Sequence, residues 1–194
     1  MVIEQRLVLA SGSPRRLDLL RQIGLSPNAV DAAELDETPQ HDETPRQLAL
    51  RLARAKAALV AGRSPEAYVL GADTVVAVGR RVLPKCENEG EVRACLKLLS
   101  GRSHRVLTGV AVCGPGGRAA ARLVESRVRF KRLGPPEIKS YAASGEGIGK
   151  AGGYAIQGRA GAFVVTLQGS YSGVVGLPLY ETAALLEGLG FRTA

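Results

Sequence analysis

The stretch HRVLTGVAVCGPGGRAAARLVESRVRF, His104–Phe130, decides the fold class. Its halves, HRVLTGVAVCG and AARLVESRVRF, read as strands, and the PGG between them is a turn signal, so the pattern predicts an antiparallel hairpin. Upstream, YVLGADTVVAVGRRVLP (68–84) has the β-branched content of a buried strand, with Gly79 and Arg80 as a second hairpin turn. LVLA (7–10) is a short buried strand leading into a helix. Further helices are expected over PRQLALRLARAKAALVAG (45–62), opened by Pro45 and stopped by Gly62, and over NEGEVRACLKLLSG (88–101), PPEIKSYAAS (135–144) and LPLYETAALLEGLG (177–190). NAVDAAELDETPQHDETP (28–45) is a polar connection dense in carboxylates, GEGIGKAGGYAIQGRAG (145–161) a Gly-rich loop, and AFVVTLQGSY (162–171) a last strand. Hairpins among helices predict an α/β fold with a mixed, twisted sheet flanked by helices, unlike a regular βα alternation.

The 194 residues, 45% hydrophobic and 23% charged, leave room for one domain or two lobes sharing a core. No apolar run approaches the ~20 residues that span a bilayer, and MVIEQRLVLA lacks the apolar core of a signal peptide. Cys86, Cys95 and Cys113 are odd in number and without C-x-x-C spacing, so neither a disulfide framework nor a zinc site is expected. A reducing cytoplasm fits best. The 26 basic residues outnumber the 18 acidic ones, giving +8 and favouring an anionic partner. Those charges are interspersed and only 4% of residues are aromatic, with no Trp, so a nucleic-acid surface is not expected.

Several residues can carry chemistry. In LASGSPRR (9–16), Ser13 reads as a helix N-cap and Pro14 as the first helical position, placing Arg15 and Arg16 where the helix dipole is already positive. An anion held with Ser11, Gly12 and Ser13 would turn that conflict into complementarity; otherwise the pair is a solvated helix start. Asp73 sits in apolar VLGADTVVAV, where an unpartnered carboxylate is costly to bury, and reads as a metal ligand, a general base or a strand-end cap. Thr74 points to the opposite face of a regular strand, so both reach one site only if the chain bends. Lys56 shares a helical face with Leu48, Leu52 and Leu59 and either snorkels outward or enters a cleft holding an anion. Lys85 and Lys150 offer cations on connections, while Asp36 and Glu37 form a pair suited to a hard divalent cation or a solvated turn. His41 and His104 lack the context of a zinc pair or a catalytic triad and are expected as surface or polar-contact residues. The Gly-rich loop is no P-loop, because Ser144 replaces the first Gly and Ala151 follows Lys150. It is no dinucleotide fingerprint either, since no strand precedes it.

Taken in order, LASGSPRR, LDET, RLARAKA, GADTVV, LSGRSHRVLTGVA, KAGGYAIQG and VVGLPL resemble the Maf proteins, nucleoside triphosphate pyrophosphatases once described as septum formation inhibitors. The resemblance implies one Maf-like domain over residues 1–194, with two lobes around a central cleft as in ITPase-like folds. It further implies metal-dependent hydrolysis, with Mg²⁺ or Mn²⁺, of a nucleoside triphosphate to the monophosphate and pyrophosphate. It makes Asp73 the catalytic acidic residue, which would hold the metal with help from Asp36 or Glu37 and orient or deprotonate the attacking water. Ser11, Arg15, Arg16, Lys56, Thr74, Lys85, Lys150 and Gln157 become substrate-binding positions. SPRR, ADT and IQG side with the subfamily acting on dTTP and UTP, and the Gln157 amide suits the O4 and N3–H edge of uracil and thymine. The partners implied are a nucleotide, with no membrane, no expectation of nucleic acid, and room for a homodimer. The alternative is a non-catalytic regulator of cell division that binds nucleotide or nucleic acid through its charge.

Overall fold

The long hairpin forms as its sequence predicts. In the computed structural model, which describes residues 5–192, β5 (Ser103–Cys113) and β6 (Ala119–Phe130) pair antiparallel from Ser103↔Arg129 to Cys113↔Ala119. On the other side β5 pairs antiparallel with β3 (Tyr68–Val78), which returns through Gly79 to the short β4 (Arg81–Leu83). The first strand, β1 (Leu7–Leu9), lies parallel to β3 and to β2 (Ala29–Val30), and β7 (Val164–Gln168) borders β6. The seven-stranded mixed sheet thus runs β2-β1-β3-β5-β6-β7 with β4 beside β3. The first four residues of MVIEQRLVLA lie outside the described residues. Among the described residues, no helix is long and apolar enough to cross a membrane.

Helices cover the sheet unequally. The helix α2 (Pro45–Ala61) alone packs Leu48, Ala49 and Leu52 on Val75, Ala77 and Leu107, the odd-numbered side of β3 and β5. On the even-numbered side, α1 (Pro14–Gln22), α3 (Glu89–Leu99), α4 (Pro135–Ala143) and α6 (Leu179–Gly188) enclose the main core around Leu70, Val110, Val128 and Phe130. Two glycines let α2 approach. A Cβ on Gly71 would stand 2.6 Å from the carbonyl oxygen of Ala53, and one on Gly109 would stand 2.3 Å from that of Ala49. Such distances lie far inside van der Waals contact, so any larger residue would push the helix off the sheet.

Local signals explain most element ends. Thr44 caps α2 reciprocally: its hydroxyl accepts from Gln47 N–H at 3.3 Å, and the Gln47 side chain accepts from Thr44 N–H at 2.9 Å. The buried stripe of α2 runs through Leu48, Ala49, Leu52, Ala53, Lys56, Ala57 and Val60, whereas Leu59, expected on the same face, is exposed. Three steps of 100° carry Leu59 past the narrow seam left for an alanine-rich helix pressed on glycines. The last strand is shorter than expected because Arg159–Phe163 turn as a 3₁₀ segment. A five-residue helix, α5 (Tyr171–Val175), follows with Ser170 as its cap.

Candidate active site

The sheet is incomplete where the chemistry gathers. Pairing of β1 with β3 ends at Leu70, and that of β4 begins at Val76, leaving 71–75 open on one edge. A cleft of about 440 Å³ opens around this gap, lined by the start of α1, β3, the 32–37 connection, Lys85, the Gly-rich loop and α5. Asp73 faces the α2 side and Thr74 the opposite side, yet both line the cleft because it wraps around the bare edge. No bend is needed, since β3 stays in regular register with β5 through Asp73↔Gly109 and Thr74↔Thr108.

One wall is a chain of alternating charges. Lys56 Nζ, on α2, lies 2.6 Å from Asp73 Oδ1 and 2.6 Å from Glu37 Oε1, while Lys85 Nζ lies 2.6 Å from Glu37 Oε2. Lys56 and Asp73 are buried, at 6% and 4% exposure, so each supplies the charge that makes burial of the other tolerable. Burial alone would raise the Glu37 carboxyl, but Lys56 and Lys85 outweigh it and hold the group at about 2.

The opposite wall is cationic. Arg16 donates to Gly176 C=O at 2.9 Å, to Ser11 Oγ at 2.8 Å and to Thr74 Oγ1 at 3.5 Å, tying α1, α5 and β3 together. Burial draws its guanidinium below the ordinary value, opposed by Asp73 and reinforced by Arg15. The Arg15 side chain also lines the cleft and, among the described residues, forms no hydrogen bond or ion pair. The nearby Lys150 is drawn down by burial and then by Arg15, and its Nζ reaches only the Ile148 C=O at 3.3 Å. The lining therefore carries five cationic side chains against two carboxylates, an excess awaiting an anion.

Two expected residues stand apart. Asp36 is exposed and accepts from the Thr38 N–H at 2.9 Å, and it does not line the cleft. Neighbours in an extended segment point opposite ways, so only Glu37 of the pair turns inward. Gln157 is exposed beyond the buried Tyr154–Ile156 segment, and it is Tyr154 that this loop presents to the cleft. His41 is exposed beside Asp42, whereas His104 is buried with Nε2 2.8 Å from Tyr154 Oη. Burial lowers its pKa to about 4, so its ring is neutral at pH 7. Tyr154 carries no titration or nucleophile signal in a sequence reading; its place in KAGGYAIQG was the available clue.

Two acids thus meet at a buried lysine beside cations without an acidic partner among the described residues, and comparison with known proteins gives the chain a family. The profile of the Maf-like protein family matches residues 6–189. The chain belongs to the Maf-like family. A Caulobacter vibrioides relative, dTTP/UTP pyrophosphatase, is 66% identical over 186 residues, covering 96% of each chain. The dTTP/UTP pyrophosphatase of Maricaulis maris is 64% identical, covering 96% of this Maf-like chain and 89% of that one. Among solved structures, the Staphylococcus aureus Ham1 protein overlaps 65% of this chain and 72% of its own at 14% identity, with a TM-score of 0.47. So loose an overlap adds nothing to the family assignment, which rests on the sequence matches.

Proposed function

We propose that this Maf-like protein hydrolyses dTTP and UTP to the nucleoside monophosphate and pyrophosphate. The observation that carries the reading is the junction of Asp73 and Glu37 at Lys56, opposite Arg15, Arg16 and Lys150, which form no ion pair among the described residues. The relatives' activity on dTTP and UTP supports the choice of bases. A water attacks the α-phosphorus, the bond from that phosphorus to the bridging oxygen breaks, and pyrophosphate leaves. Asp73 orients the water and accepts its proton, while Lys56, 2.6 Å from Oδ1, holds that carboxylate in place. Arg15, Arg16, Lys85 and Lys150 offset the charge of the triphosphate and of the departing pyrophosphate.

The donor set suits a divalent cation of the Mg²⁺ or Mn²⁺ kind. Asp73 and Glu37 both direct carboxylate oxygens to Lys56 Nζ, and such ions take one or two carboxylates and complete their shell with phosphate oxygens and water. Among the described residues no group of three or more His, Cys, Asp or Glu forms a closed protein cage. Asp73 and Glu37 would hold the ion, and its contribution is Lewis-acid stabilisation of phosphate charge. The reading carries with it a nucleotide partner and a cytoplasmic setting, the latter in keeping with three free thiols.

The test is pyrophosphate release from dTTP, UTP, CTP and GTP, with Mg²⁺, Mn²⁺ or EDTA, beside Asp73→Asn. Metal-dependent release greatest from dTTP and UTP, and lost in Asp73→Asn, is the expected result. Saturable binding of every nucleotide without release would replace the enzyme with the binding-only regulator.

A further inference from the structure

The Gly-rich loop that brings Lys150 to the cleft is anchored on both sides of that residue. On one side the anchors are backbone bonds: Gly149 N–H donates to the Cys86 carbonyl at 2.7 Å and Cys86 N–H to the Lys150 carbonyl at 3.2 Å. On the other side they depend on side chains. Ala155 N–H donates to Tyr141 Oη at 3.0 Å, and Tyr154 Oη lies 2.8 Å from His104 Nε2 on β5. Between Lys150 and Tyr154, Gly152 and Gly153 both hold φ at 70°, a conformation natural to glycine, so this stretch has little stiffness of its own and takes its place from its anchors. His104 is a costly residue for packing alone. Its ring meets Phe130 and Tyr154 edge-on at 5.0 and 5.4 Å, contacts that an apolar ring could also make. Yet its buried Nδ1 has no hydrogen-bond partner among the described residues, a penalty that phenylalanine would not incur. The one polar bond of this side chain goes to a residue that lines the cleft.

We infer that His104, outside the cleft, is a positioning residue: through its bond to Tyr154 Oη it fixes the far side of the Gly-rich loop, so that Lys150 and the Tyr154 wall stand ready for a bound triphosphate. The inference rests on the nucleotide reading given above. Edge-on ring contacts leave a range of separations open, whereas a hydrogen bond specifies both distance and angle. Without that bond the loop has to be ordered at the moment the nucleotide binds, and the cost is subtracted from affinity.

The experiment compares wild type with His104→Phe and Tyr154→Phe, each of which keeps a ring and removes the bond, with the double variant, and with His104→Gln, whose amide supplies a donor and an acceptor in place of Nε2. Calorimetric affinity for UTP in EDTA is measured first, then KM and kcat with Mg²⁺, with a melting temperature for each protein. Both single variants are expected to bind UTP about fivefold more weakly, the weight of one neutral hydrogen bond, with KM raised in proportion. The double variant should lose no more than either single one, because the same bond is gone in all three, and His104→Gln should regain most of the loss. A purely structural role lowers the melting temperature and, by loss of folded enzyme, the apparent kcat, but leaves affinity and KM at wild-type values. That result overturns the inference, as do losses that multiply in the double variant or a His104→Gln no better than His104→Phe. If His104→Phe fails to fold, Tyr154→Phe and His104→Gln decide the question by the same affinities. Wild type that binds UTP without releasing pyrophosphate sinks the proposed activity alone, since affinity is read without turnover; wild type that binds no UTP sinks both.

Discussion

Asp73 and Lys85 separate two kinds of contribution to the cleft. Asp73 is buried and touches only Lys56 among the charged groups, so Asp73→Asn keeps its shape but loses the charge that Lys56 balances. Pyrophosphate release is expected to fall to background, and the melting temperature to fall with it, because the buried Lys56 ammonium then keeps only Glu37 as a partner. Lys85 is half-exposed and holds only Glu37, so Lys85→Ala leaves the core intact. Its expected cost is ~3 kcal/mol of transition-state stabilisation, on the order of a hundredfold in kcat/KM. Arg16→Ala mixes the two effects, because this side chain also ties Ser11, Thr74 and the Gly176 carbonyl together, and it should lower both activity and melting temperature. His104 contributes differently. Its pKa falls from an ordinary 6.5 to about 4 through burial, so between those values the unfolded chain binds a proton that the folded one refuses. Its share of stability is fully present above pH 6.5 and is lost as pH falls towards 4, amounting to on the order of 3 kcal/mol. Urea midpoints across pH 4 to 7 should show that slope in wild type and a shallower one in His104→Asn.

At the scale of elements, α2 and the gap in the sheet determine the site. Lys56 reaches Asp73 because α2 lies almost on the backbone of β3 and β5, and only Gly71 and Gly109 permit that approach. Gly71→Ala should cost about 1–3 kcal/mol through displacement of α2, read as a lower urea midpoint, and should reduce activity by moving Lys56 from its carboxylates. The limits of α2 are legible from Pro45 and Gly62, and its Thr44–Gln47 capping box matches the S/T-x-x-E/Q signature. The short α5 was illegible for a physical reason: five residues hold too little periodicity, and its Gly173 carbonyl accepts from Thr108 on a distant strand.

For the whole molecule, charge and architecture act together. The chain carries +8, and its cleft has more cations than carboxylates, so approach of a triphosphate is favoured by the long-range field. Measured from 50 to 500 mM salt, kcat/KM should fall severalfold while kcat stays nearly constant, as screening weakens encounter but spares the buried Lys56–Asp73 pair. The mixed sheet with hairpins was legible because strand content and turn residues are local signals. The wrapping of the cleft around the open edge was not, since it depends on where β1 stops and β4 starts along β3.

The amino-acid sequence alone determined the hairpin-rich α/β class, the helix start at Ser13 and Pro14, the resemblance to the Maf proteins, and the candidacy of Asp73, Lys56, Arg15 and Arg16. Each is a short-range pattern of spacing, turn chemistry or residues in order. Tertiary structure decided that Glu37 and not Asp36 meets Lys56, that Gln157 stays outside while Tyr154 lines the wall, and that Asp73 and Thr74 share one cleft without a bend. Those outcomes depend on which way neighbouring side chains face once strands and helices far apart in the chain have packed. Local sequence chemistry does not encode that direction.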